Sequence, residues 1–154
     1  MRVSLGYPAL AEEARMLDEQ TSWGAGSAVG AGGPPLESLA AVVGAADVLR
    51  LVESARSVYV EESLGRYVVA LLRQTRGDQR LYLGASPRAG IALLRVAKAR
   101  ALSEARDYAT PDDVKAVAAP VLAHRLILAP EARSAGLGAA ELVADALAHT
   151  PVPV

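Results

Sequence analysis

The chain has 154 residues, the length of one domain with a modest core. Apolar residues make up 52% of it, charged residues 21% and aromatics 4%, while Phe and Cys are absent and sixteen basic residues face seventeen acidic ones. This excludes a disordered tail, a disulfide scaffold and a thiolate zinc site, leaves two His for any His-based metal site, and excludes nucleic-acid binding driven by bulk charge.

Ala is the commonest residue and the strongest helix former, so the composition predicts an all-α fold with thin packing layers of Ala and Leu. Residues 1–5 alternate weakly at Val3 and Leu5 and stop at Gly6-Tyr7-Pro8, the pattern of a short strand and a break. Pro8 suits the first turn of a helix that carries Leu10, Ala14 and Leu17 on one face. The stretch from Trp23 to Pro35 is low in complexity and reads as a flexible Gly-rich linker. A helix from Asp47 to Arg56 follows, presenting Val48, Leu51, Val52 and Ala55, and residues 57–60 read as extended. The next helix runs from Glu61 to Arg76, buries Leu64, Val68 and Leu71, and is expected to close on a left-handed Gly77. Arg80 to Leu83 is a short extended piece before the longest helix, Pro87 to Arg106. Thr110-Pro111-Asp112-Asp113 marks another helix start, with a capping hydroxyl, Pro at the first position and acids in the first turn. That helix ends at His124-Arg125, and a last helix, Ala139 to His149, packs through Leu142, Val143, Ala146 and Leu147. Five or six such helices make a small bundle. No apolar run reaches the length of a bilayer span, the N-terminal residues lack a signal-peptide core, and the absence of Cys fits a cytoplasmic setting.

One helix start breaks an electrostatic rule. In Gly84-Ala85-Ser86-Pro87-Arg88-Ala89, Ser86 can cap and Pro87 fits the first position. Arg88 then falls in the first turn, at the positive end of the helix dipole. A cation beside unpaired backbone N–H groups makes a place that attracts an anion. Arg95 and Arg106 are expected on the same stripe, facing outward or toward a partner, with Leu93, Val96, Ala97 and Ala101 opposite. From the residues alone, a solvated Arg face on an amphipathic helix explains this pattern as well.

The run LGASPRAGIALLRVAKARALSEARDYATPDDVKAVAAPVLAHRL resembles the C-terminal lid of a MoxR-type AAA+ ATPase, and VEESLGRYVVALLRQTRGD resembles the helix that precedes that motif. GASPRA, DYATPDDV and VLAHRL in this order form a specific combination; magnesium-chelatase-type AAA+ subunits share the last two in looser form. The resemblance implies a helical bundle of AAA+ lid type over 36–154, a first helix and Gly-rich linker over 9–35, and the end of a core strand with its hinge over 1–8. It implies that Arg88 is the sensor-2 arginine, reaching the γ-phosphate of ATP, with the displaced lid of this clade serving a neighbouring subunit's nucleotide. Gly84, Ser86 and Pro87 would shape the turn that aims it. Tyr7, Pro8 and Tyr67 are candidates for packing on the adenine side, Tyr67 equally for the core. The implied cofactor is ATP, with Mg2+ held by a core domain outside this chain. The implied partners are that core, neighbouring subunits of a homo-oligomer (a hexamer) and a von Willebrand factor A-domain protein.

Other patterns carry less. Gly24 to Gly30 looks like a phosphate loop but has no Gly-Lys-Ser/Thr after it, the first Lys being Lys98. Val58-Tyr-Val-Glu-Glu62 mimics a Walker B strand yet reads better as a loop entering a helix with acids in its first turn. Without these motifs the chain alone is expected to hydrolyse no ATP. Two other readings stand beside the lid: a helical protein-interaction module without a nucleotide role, and a nucleic-acid binder using the Arg stripe, which the near-neutral charge disfavours.

Overall fold

Helix ends leave N–H and C=O groups without intrahelical partners, and at two helix starts in this chain the side chains of Ser86 and Thr110 satisfy such N–H groups. A computed structural model describes residues 1–22 and 39–153, with side chains over 1–19 and 39–153. The Gly-rich linker expected over Trp23 to Pro35 lies outside the described residues. The elements are α1 (Leu10–Ser22), α2 (Ala45–Ser57), α3 (Glu62–Gly77), β1 (Leu81–Leu83), α4 (Pro87–Ser103), α5 (Pro111–Leu122), a 3-10 turn (Ala123–Arg125), β2 (Ile127–Leu128), α6 (Pro130–Ser134) and α7 (Ala139–His149). The fold is an all-α bundle with one two-stranded ladder. The chain divides into two compact units, one of Met1–Val3 with Leu49–Val154 and one of Ser4–Val48.

In the larger unit, α4 packs on α5 and α3, and α7 closes against α3 and α5. The core is aliphatic apart from Tyr67: Leu64, Val68 and Leu71 of α3, Leu93, Ala97 and Ala101 of α4, Val114, Val121 and Leu122 of α5, and Leu142 and Val143 of α7. Full burial of a Leu or Val side chain stabilises the fold by about 1.5–3 kcal/mol. Gly90 of α4 faces Leu72 of α3: a Cβ there would meet Leu72 Cδ1 at 2.7 Å and that side chain would have to shift. The strands β1 and β2 pair antiparallel, Leu81 opposite Leu128, across the α4–α5 excursion. Arg80 bonds Asp78 at 2.9 Å and Asp145 of α7 at 2.8 Å, tying the ladder to the last helix. Tyr59 forms a parallel bridge with Tyr108, so the segment before α3 is extended as its sequence predicts.

Four expectations are corrected. Residues 1–5 form no strand; Arg2 instead donates its N–H to the Pro120 carbonyl of α5 at 2.8 Å, and Gly6 turns the chain at a φ of 71°. Pro8 precedes α1 rather than sitting in its first turn, where Glu12 reaches back to the Ala9 N–H at 3.1 Å. Gly77 is not left-handed: α3 runs through it and ends at Asp78 in an extended conformation, held by the Arg80 N–H on the Asp78 carboxylate at 2.9 Å. The helix α4 stops at Ser103 rather than Arg106. Ala105 takes a φ of 55°, the Arg106 N–H returns to the Ala101 carbonyl at 2.9 Å and the Ala105 N–H to that of Leu102. This is a Schellman closure with Ala in the place usually taken by Gly.

Candidate functional site

The start of α4 is built as the sequence predicts. Ser86 is the N-cap, its Oγ accepting the Ala89 N–H at 3.3 Å, and Pro87 occupies the first position. Arg88 follows in the first turn, exposed, with no hydrogen-bond or ion-pair partner among the described residues. No acidic residue occupies that turn. The guanidinium therefore adds to the positive end of the helix dipole with nothing to offset it.

What fixes this start is a clamp from the end of α3. Thr75, 1% exposed, donates its hydroxyl to the Leu72 carbonyl at 2.7 Å and accepts the Ala85 N–H at 3.0 Å. Arg76 donates Nε to the Ala85 carbonyl at 2.7 Å. The N–H and the C=O of Ala85 are thus both satisfied by adjacent residues of one helix end, and Ala85 itself is fully buried. Gly84 makes the approach possible: a Cβ there would lie 2.7 Å from both Arg76 Cα and the Thr75 carbonyl oxygen. The reason for glycine is close backbone approach, since its φ is not in the left-handed region. Thr75 and Arg76 were not legible as positioning residues from sequence.

The remaining candidates lie elsewhere. Tyr67 is a core residue, 3% exposed, its hydroxyl buried without a hydrogen-bond partner among the described residues. Burial pushes that phenol above its ordinary pKa, opposed by Lys115 and reinforced by Asp112. Tyr7 and Pro8 are exposed and belong to the smaller unit. Arg106 does not extend the Arg88–Arg95 stripe, because α4 has ended before it. Its guanidinium turns to the Asp113 carboxylate in a two-pronged pair at 2.7 and 2.6 Å. Asp113, 2% exposed, also accepts the Thr110 N–H and hydroxyl, each at 2.9 Å, completing the capping box that opens α5. The Arg106 guanidinium and the Thr110 donors hold the Asp113 carboxyl down at about 2. Burial and the neighbouring cations Arg125 and Arg2 lower the pKa of His124 at the far end of α5. Among the described residues, no group of three or more His, Asp or Glu is placed to hold a metal ion.

Residues 73–146 match the family described as the AAA lid domain. The chain is 33% identical over 153 residues to the uncharacterized protein YeaC of Bacillus subtilis, covering 99% of this chain and 45% of that protein. It is 31% identical over 140 residues to chaperone MoxR1 of Mycobacterium tuberculosis, covering 85% of this chain and 34% of that one. A crystal structure of a Cytophaga hutchinsonii protein assigned as an ATPase superposes with a TM-score of 0.79 at 28% identity, over 100% of this chain and 46% of that one. The chain spans about half the length of that structure and of YeaC, and less of MoxR1.

Proposed function

Given that this chain corresponds to the lid-like domain of a MoxR-family AAA+ ATPase, we propose that it covers ATP held by an ATPase core and supplies Arg88 to the γ-phosphate. The observation that carries this reading is the unpaired Arg88 guanidinium in a first turn without acids, on a helix start clamped by Thr75, Arg76 and Gly84. A fixed guanidinium stabilises charge on phosphoryl oxygens without reorganising as that charge moves. The exposed side chain offers itself to a surface outside the bundle, in keeping with service to a neighbouring subunit's nucleotide. The core, not this chain, holds the phosphate loop and the Mg2+ ligands. The aliphatic bundle moves as one body, so nucleotide state passes to neighbouring subunits of a cytoplasmic homo-oligomer through rigid-body displacement of the lid. Chaperone-like remodelling, with a von Willebrand factor A-domain protein as partner, is the activity this reading assigns to the assembled machine.

Equilibrium binding of ATPγS and of ADP to the full-length protein tests the assignment. Loss of one charge-assisted contact to the γ-phosphate, in Arg88→Ala, weakens ATPγS by about tenfold or more and leaves ADP unchanged. Equal weakening of both nucleotides, or of neither, overturns it.

A further inference from the structure

The helix α4 carries a second group of cations, away from its start. Arg95 and Lys98 of α4 and Arg56 of α2 line a pocket of about 460 Å³ with Val52 and Ala55, and among the described residues no acidic side chain lines it. Arg95 lies seven residues beyond Arg88, so the two are about 10 Å apart along the helix at ~1.5 Å per residue. The Lys98 ammonium donates to the Arg56 carbonyl in the last turn of α2, which holds the charge in place at the pocket and leaves two further N–H donors. Arg95 has no hydrogen-bond or ion-pair partner among the described residues. Among the described residues the Arg56 guanidinium pairs with Glu53, at 3.6 Å with both side chains about three-quarters exposed, a contact of the kind that yields readily to a better acceptor. Arg95 and Lys98 are three residues apart on one helix, where like charges repel.

We propose that this pocket is an anion site for a small molecule bearing two or more phosphate groups. Three cations from two helices exceed what one carboxylate neutralises, whereas a diphosphate carries enough charge and enough oxygens for both guanidinium forks and the fixed ammonium. The volume lies within the range of about 300–1,000 Å³ found for small-molecule sites, and Val52 and Ala55 give an apolar wall for the organic part of such a ligand. The site is separate from the Arg88 reading and does not rest on it.

The test is a titration of the isotope-labelled 154-residue chain with inorganic pyrophosphate, followed by amide chemical shifts at low salt. Saturable shifts are expected at residues 52–56 and 95–98, at least about tenfold weaker binding in Arg95→Gln, and unchanged binding there in Arg88→Ala. Lys98→Arg, which keeps the charge and a donor for the α2 carbonyl, retains binding, and thermal melts confirm that each variant is folded. The proposal is overturned by an absence of saturable shifts at millimolar pyrophosphate, by shifts confined to residues 86–89, or by equal affinity in Arg95→Gln. Tighter binding of a poly-glutamate peptide than of pyrophosphate also overturns it, assigning the pocket to protein acids.

Discussion

Replacing Asp113 with Asn removes one charge while keeping the shape of the side chain at the most buried ionic contact of the bundle. Asp113 is 2% exposed, takes both prongs of Arg106 at 2.6 and 2.7 Å, and caps α5 through Thr110. Its carboxyl sits at about 2 in the folded chain against an ordinary 3.8. That depression corresponds to roughly 2–3 kcal/mol of folding free energy at neutral pH. Because the folded value is the lower one, this stability is present above pH 4 and is lost as pH falls toward 2. Chemical denaturation of wild type and Asp113→Asn at pH 7 should therefore differ by roughly 2–3 kcal/mol, and at pH 2 by only a small part of that. At pH 7 the melting temperature should fall by roughly 10 °C for a unit of this size. A difference well under about 1 kcal/mol at pH 7, or one that persists unchanged at pH 2, would refute the assignment of this stability to the carboxylate charge.

Other perturbations follow from the same contacts. Gly84→Ala forces a Cβ against the backbone at Thr75 and Arg76, and is expected to cost about 1–3 kcal/mol in denaturation; a stability equal to wild type would contradict the close approach. Thr75→Val strands the buried Ala85 N–H and should cost about 1–3 kcal/mol, with faster amide exchange at residue 85; unaltered exchange there would show that Thr75 is dispensable to the clamp. Ala105→Gly relieves a left-handed alanine and should leave stability level or raise it by up to about 1 kcal/mol, whereas a clear loss would mean the Schellman closure is not strained.

Much of the bundle was legible because its signals are local. Thr110-Pro111 with Asp113 three residues after the cap, and Ser86-Pro87 before an apolar face, mark helix starts that depend on nearby atoms alone. The buried faces of α3, α4 and α7 follow the helical period of Leu, Val and Ala. What failed depends on distant atoms. Residues 1–5 alternate like a strand, but a strand needs a partner, and Arg2 finds a helix carbonyl instead. Ile127–Leu128 is too short to show any period, so the partner of β1 and the brief helix α6 after it went unread. Gly77 looks like a helix stop, yet Asp78 and Arg80 end α3 by side-chain bonds. Arg106 shares an azimuth with Arg88 only if α4 continues, and the left-handed Ala105 ends it. At the candidate site, Arg88, Ser86 and Pro87 were visible from sequence, whereas the clamp joins residues ten positions apart through a serviceable but unpatterned Thr.

The central claim is that Arg88 acts on ATP, and steady-state ATP turnover of the full-length protein carrying Arg88→Ala tests it most directly. The account predicts that kcat falls by about a hundredfold, in the range found when one transition-state donor is removed, while the thermal melt of the lid is unchanged. Turnover equal to wild type in a folded variant would contradict it and leave the helix start of α4 as a structural feature only.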